Sequence, residues 1–448
     1  MASPYHNVFY YFRGPSKQTA ADQPVLSTQI EDNTTKALVN VLELAGPGVA
    51  ASWLGTLGIR IEETLPPTSP IYFLQGGPAN SSAPNRHLVV ITAGSQYDDA
   101  LWAEEMPGGS KGRVDAAIHA PEDCLVVIES KIAAVLDGVQ LKRHASDWGI
   151  AVPERQGPGA PPEEWRFTTW AEVHKWARDE LARADSPVAR FLLKQFAEYL
   201  VIIGVAGFWG FLEQDFELLA ARRRWTQTPV SPGGTQDWAE ATDPIQAAAI
   251  KRRVDGMWEE ILAGLTPVER TALGKIRVGT LKVQDRIWAM TNAGQRLANL
   301  TLELDPERLE LDVVAWNTDR ALRFQKWIAT VQGQQVLADL PNFKLAVWRR
   351  RAHKAKSGKP FWRQETASLV AEIALDDVAG LPARLATYRA EPKWEHLAYH
   401  LRREWSREEV LSLGPEILAE ATTAVRHAIP VMHAINNVPQ LHESEAFS

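Results

Sequence analysis

The chain has 448 residues, enough for two or three domains at about 150 residues each, and its 45% hydrophobic and 23% charged residues exclude a mainly disordered or fibrous protein. One cysteine, Cys124, excludes an internal disulfide framework and a cysteine-rich zinc site. The net charge of -7 confines any affinity for nucleic acid to a local patch. A lone cysteine fits a reducing compartment, and the stretch MASPYHNVFYYFRG lacks the basic start and apolar core of a secretory signal, so a cytoplasmic location is expected. The seventeen tryptophans against eight tyrosines have no physical account.

In chain order, Gln29 to Leu44 reads as an amphipathic helix, with Asp32 or Asn33 as its cap. Short apolar runs at Gly58–Ile61, Ile71–Leu74, Leu88–Thr92, Arg113–His119 and Leu125–Lys131 suit strands. A helix over Ile132–Trp148 follows, then a loop over Gly149–Glu164, which holds four prolines and three glycines in sixteen positions. Trp165–Thr169 reads as a strand, and Trp170–Ala184 and Val188–Phe208 read as helices. The longest apolar run, Tyr199–Leu212, has 14 residues, short of the roughly 18 that a membrane-spanning helix needs, and is expected to be a buried helix. Thr226–Pro244 loses periodicity and gathers turn formers, which marks a linker between residues 1–225 and 245–448. Beyond it, Ile245–Leu265 and Arg320–Val331 read as helices, and Leu300–Glu303 with Leu309–Val314 as a hairpin about Asp305-Pro306. The last residues, NNVPQLHESEAFS, read as a frayed tail.

The residues with the most chemical content are GRVDAAIHA and CLVVIESK. Asp115 lies fourteen positions before Glu129, and Lys131 two after it. On two strands joined by the turn at Ala120–Asp123, alternation puts Glu129 and Lys131 on one face and lets Asp115 meet them from the neighbouring strand. Charges on apolar strands cost several kcal/mol, by rough estimate, unless paired or metal-bound. Two carboxylates so placed suit a hard divalent cation such as magnesium, and a nearby lysine can orient an attacking water. The competing reading of the same residues is a surface hairpin with a cross-strand Asp–Lys pair.

This D-x13-E-x-K arrangement, after an acidic helix and before an amphipathic one, resembles the PD-(D/E)XK nuclease superfamily, the restriction-endonuclease-like fold. The resemblance covers about residues 27–205 in element order, although its most specific part is only about 17 residues long. It implies Asp115 and Glu129 as metal ligands, the main-chain carbonyl of Ser130 as a further ligand, and Lys131 as the residue that positions water. It also implies Glu31 as the acidic position on the first helix that reaches the metal, and Gln140 as a glutamine beside the active site. The sequence departs from the pattern at Val114, where the family's fuller motif has proline. His119 shares the Asp115 face by alternation and is read as structural.

Gly108–Gly112 matches the G-x-S-x-G serine elbow in letters alone. That motif needs a strand before and a helix after the serine, and the order here is reversed. The segment reads as a loop into the site, with Lys111 and Arg113 placed to touch phosphate. His396 and His400, four apart on an expected helix, lack the partners of a zinc motif. In the second half, Lys344–Arg363 carries eight Lys or Arg and no acid, interleaved with Trp348, Phe361 and Trp362. Arg349, Arg350, Arg351, Lys354 and Lys356 are therefore candidates for binding a nucleic-acid backbone, with the cluster Arg222-Arg223-Arg224-Trp225 extending the track. The alternative is a solvated basic loop between strands.

The expectation is thus an α/β, restriction-endonuclease-like mixed sheet flanked by helices, followed by an α+β domain of regulatory, sensing or DNA-binding role. The resemblance implies a Mg2+-dependent nuclease, with Mn2+ able to substitute. DNA is the expected substrate, prokaryotic defence against foreign DNA the expected setting, and a second copy or a defence-system protein the expected partner, with no membrane involved. The alternative is a catalytically silent nucleic-acid-binding or assembly protein on the same fold.

Overall fold

A computed structural model describes residues 7–10, 23–60, 70–78, 81–93, 113–120, 122–132, 136–152, 162–227, 244–278, 286–291, 297–316, 318–354, 360–388 and 395–437. The chain is mixed α/β with two sheets, and it divides into two compact units: residues 1–207 with 236–249, and residues 208–235 with 250–448. No described helix is long and apolar enough to cross a membrane.

In the first unit, α1 (Gln23–Leu44) and α2 (Pro47–Thr56) precede β1 (Ile71–Leu74), β2 (Asn85–Thr92), β3 (Ala116–Ala120) and β4 (Cys124–Lys131). After these come α3 (Gly138–Asp147), β5 (Trp165–Thr169), α4 (Trp170–Arg183) and α5 (Pro187–Ile202). The sheet order is β1-β3-β4-β2-β5, antiparallel across β1, β3 and β4, and parallel from β4 through β2 to β5. β4 is therefore interior, and its continuous apolar run CLVVI is what a strand covered on both faces requires. Leu125 and Val127 point to one face, where they join Leu88, Val90, Ala117 and Trp165 against Leu141 and Ala145 of α3. Val126, Ile128 and Ser130 point to the other face, where the Ser130 hydroxyl lies 2.6 Å from that of Thr35 on α1. Each large apolar side chain so buried contributes roughly 1.5–3 kcal/mol, which fixes the register of β3 and β4 and hence the polar positions at the strand ends.

The second unit takes in α6 (Glu213–Gln227), most of α7 (Pro244–Gly264), α8 (Pro267–Leu273), β6 (Arg277–Val278), β7 (Ile287–Met290), β8 (Asn299–Leu304) and β9 (Arg308–Ala315). It continues with α9 (Thr318–Ile328), α10 (Val331–Ala338), β10 (Lys344–Lys354), β11 (Pro360–Ala374), α11 (Leu381–Ala386), β12 (Glu395–Ser406), α12 (Arg407–Leu413) and α13 (Ile417–Asn437). Its strands form an antiparallel sheet ordered β11-β10-β12-β9-β8-β7-β6. Leu300, Leu302, Leu309, Leu311, Val313 and Leu401 alternate onto a buried apolar face, and α9, α12 and α13 pack on these strands. The opposite face is polar: Glu310 lies between Glu303 and Glu404, and Asp312 beside Arg402.

Burial, and then the charge of Asp312, push the Glu310 carboxyl from 4.5 up to about 9. The folded chain thus keeps a proton that the unfolded chain releases, so Glu310 makes stability fall as pH rises from about 4.5 to about 9. Glu310→Gln is neutral at every pH and still able to donate to Asp312. Its midpoint in thermal unfolding between about pH 5 and 9 is expected to decline less steeply than that of wild type. Equal slopes would refute this account of Glu310.

Several sequence expectations change in detail. α1 begins at Gln23, so Asp32 and Asn33 lie inside the helix instead of capping it. Residues 58–60 form a turn and irregular chain, because Gly58 leaves α2 with φ +71°. The expected buried helix over Tyr199–Leu212 stops at Ile202; Gly204, Gly207 and Gly210 all adopt positive φ, which breaks a helix as glycine readily allows. α3 starts at Gly138, capped by Asp137, whose carboxylate accepts from the N–H groups of Val139 and Gln140. His396 and His400 lie on strand β12, not a helix. Described parts of Lys344–Arg363 form the hairpin strands β10 and β11 instead of a loop. Thr226 ends in α6 and Pro244 begins α7; residues 228–243 of the expected linker lie outside the described residues, as do Gly108–Gly112 and residues 438–448.

Candidate active site

Register places Asp115, one residue before β3, across from Glu129, because Ala116 pairs with Ile128 and the strands are antiparallel. Asp115 Oδ2 accepts from the Ser130 N–H at 2.8 Å, so this carboxylate completes the hydrogen bonding of β4 where β3 has ended. Glu129 is fully buried (0% exposed), and Lys131, with 14% of its side chain exposed, puts Nζ 2.7 Å from Glu129 Oε1. The surface-hairpin reading therefore does not hold, since the carboxylate is enclosed on an interior strand.

Three more elements converge here. From α1, Glu31 Oε1 accepts the Ile132 N–H at 3.0 Å, tying that helix to the end of β4. From α3, Gln140 Nε2 donates to Glu129 Oε1 at 2.8 Å. One helical turn further, His144 is 1% exposed, with Nε2 3.3 Å from both Glu129 Oε2 and Gln140 Nε2. The structure thus brings together Asp115, Glu129, Ser130, Lys131, Glu31 and Gln140. His144 is the residue the sequence reading missed, although its i+4 spacing from Gln140 on α3 puts the two on one helix face. Gln75 was also missed: its N–H donates to the Asp115 carbonyl at 2.7 Å and its Nε2 to Asp32 at 3.3 Å. His119 instead meets Ser81 at 3.0 Å near the far end of β3.

Burial, reinforced by the charge of Glu129, pushes the Asp115 carboxyl up to about 6, while the Ser130 N–H and Lys131 pull it back. Burial pulls the Lys131 ammonium down, but the paired Glu129 carboxylate outweighs this and holds it above its ordinary value. Lys131 therefore remains a cation at neutral pH.

Among the described residues, no group of three or more His, Cys, Asp and Glu side chains is arranged to hold a metal ion. The donor set is one that a hard cation fits. Glu129 Oε2 is buried and accepts no hydrogen bond, and Asp115 offers a second carboxylate across the register. Main-chain carbonyl and water oxygens complete such a shell for Mg2+, which keeps several waters.

The candidate nucleic-acid residues are less coherent. Arg113 is exposed two residues before Asp115. Arg350 is buried, stacked 3.9 Å over the Trp316 ring and donating to the Trp316 carbonyl at 2.6 Å, so it belongs to the interior of the second unit and not to a nucleic-acid surface. Arg349 and Arg351 flank Glu395 at 3.7 and 3.8 Å, which offsets part of their charge. Lys354 ends β10, while Lys111 and Lys356 lie outside the described residues. Arg222 is buried within α6 and Arg223 pairs with Glu307 at 2.7 Å, so these two do not extend a basic track. No family model matches the chain, and no curated protein is significantly similar to it.

Proposed function

We propose that the chain is a metal-dependent phosphodiester hydrolase, a DNA endonuclease whose site lies in a restriction-endonuclease-like first unit. The observation that carries this reading is the enclosure of Glu129 on an interior strand, between Asp115 across the register and Lys131 at 2.7 Å, with one carboxylate oxygen unsatisfied. A buried carboxylate with an orphaned oxygen is unfavourable for folding alone, and a function accounts for it.

Asp115, Glu129 and the Ser130 carbonyl are the residues to hold Mg2+ or Mn2+, with Glu31 beside them. When bound, such an ion polarises a phosphate and acidifies a water. Lys131, kept cationic by Glu129, orients the attacking water and offsets the charge that develops on phosphate. Gln140 holds Glu129 through Oε1 and leaves Oε2, which accepts no hydrogen bond, as the oxygen that would serve a cation. Arg113, exposed two residues before Asp115, would supply a phosphate contact. Prokaryotic defence against foreign DNA, with a second copy or a defence-system protein as partner, extends this reading from the resemblance.

The Glu129–Lys131 pair also favours a second reading, a silent nucleic-acid-binding or assembly protein, because the ammonium is already neutralised by its neighbour. Incubation of plasmid, linear and single-stranded DNA and of RNA with Mg2+, Mn2+ or EDTA separates the two. Cutting that depends on the metal and is lost in EDTA is the expected result. Binding of DNA at low salt without any cutting under either metal would establish the silent reading.

A further inference from the structure

We propose that His144 is a positioning residue for this site, acting on Glu129 through Gln140; the inference rests on the metal-dependent reading above. Gln140 Nε2 carries two hydrogens and has two acceptors within reach, Glu129 Oε1 at 2.8 Å and His144 Nε2 at 3.3 Å. The tautomer with the ring proton on Nδ1, which is buried with no hydrogen-bond partner, lets His144 Nε2 accept and anchor the amide nitrogen a second time. Without that acceptor, the amide nitrogen keeps Glu129 Oε1 as its single anchor here and is less sharply positioned.

This anchoring has further support in the fold. Gln140 stands in the first turn of α3, anchored by the Asp137 cap, and Leu141 and Ala145 on the same helix pack against Val127 and Leu125 of β4. His144 is 1% exposed, so its ring cannot turn toward water for a substitute partner. No hydrogen bond reaches Glu129 Oε2, which lies 3.3 Å from His144 Nε2. One amide nitrogen thus bridges Glu129 Oε1 and the imidazole, whose Nε2 lies equally close to the oxygen left for a cation. Partners of ligating carboxylates typically affect metal affinity about 10- to 100-fold.

The test reads Mn2+ binding to the purified full chain by calorimetry, beside cleavage, for wild type, His144→Phe, His144→Gln, Gln140→Ala and the double variant His144→Phe/Gln140→Ala. His144→Phe keeps a ring but loses the acceptor, and is expected to weaken Mn2+ binding about 10- to 100-fold. His144→Gln restores an acceptor and is expected to return affinity to within a few-fold of wild type. The double variant is expected to bind no more weakly than Gln140→Ala alone, because His144 acts through Gln140. Mn2+ bound equally well by His144→Phe and wild type overturns the inference and leaves the hydrolase reading intact, as does full additivity in the double variant. If wild type binds no Mn2+, both fall together. Should His144→Phe fail to fold, His144→Leu and His144→Leu/Gln140→Ala, which also lack the acceptor, take its place in the same comparison.

Discussion

Replacing Glu129 with glutamine is expected to lower cleavage at least about 1,000-fold while leaving thermal stability unchanged or raised. Glutamine keeps the shape of the side chain but removes the charge that attracts a cation and that holds Lys131 in place. Folding loses nothing by the change, because Glu129 is fully buried with an unsatisfied oxygen, and Lys131 is partly exposed and can hydrate its ammonium. Lys131→Ala should abolish cleavage to the same degree, yet with the opposite effect on folding. It strands the buried Glu129 charge without its counter-ion, at a cost of about 1–3 kcal/mol. Cleavage rates and melting temperatures measured on the two variants therefore diverge if the site is as described. Variants that cut as well as wild type would show that the site lies elsewhere.

The largest expected loss of stability comes from the second unit. Asp215 and Arg253 are both essentially excluded from solvent. Asp215 Oδ2 accepts from Arg253 Nε at 2.9 Å and from the Leu212 N–H at 2.8 Å, and Arg253 Nη2 meets Oδ1. Asp215→Ala leaves a buried guanidinium and a main-chain donor without this partner, which is expected to destabilise the unit by about 3–5 kcal/mol. Combining it with Arg253→Leu removes the stranded charge and should recover part of that loss. Denaturant unfolding of the two variants checks the ordering; a double variant less stable than Asp215→Ala would contradict it.

Local patterns carried most of the architecture that could be read in advance. CLVVIESK and WRFTT read correctly as strands because β-branched and aromatic residues gather there between turn formers, on the interior strand β4 and on β5 at the end of the sheet order. The hairpin of β8 and β9 about Asp305-Pro306 was evident for the same reason. Asp115, Glu129 and Lys131 were found because strand alternation is a strict geometric rule. What escaped depended on long-range packing. His396 and His400 fit a helical spacing equally well, and only pairing with β9 and β10 makes them strand residues. The basic run of β10 gave no sign that Arg350 is buried against Trp316, because that ring comes from a distant segment. His144 lay within the QLKRH segment already singled out, but its role depends on α3 crossing the end of β4.

The end of β4 is finished by side chains. One of its last amides and the first amide beyond it are held by carboxylates from outside the neighbouring strands, Ser130 by Asp115 and Ile132 by Glu31. These acids do for the strand what a capping serine does for a helix, so each is committed twice, once to ending the sheet and once to the chemistry proposed there. Neutral drift at either position would fray the strand as well as silence the site. A descendant of this chain that had lost turnover by such drift would carry a visible structural scar, and one that keeps both acids in place has kept the means to hold the site in register.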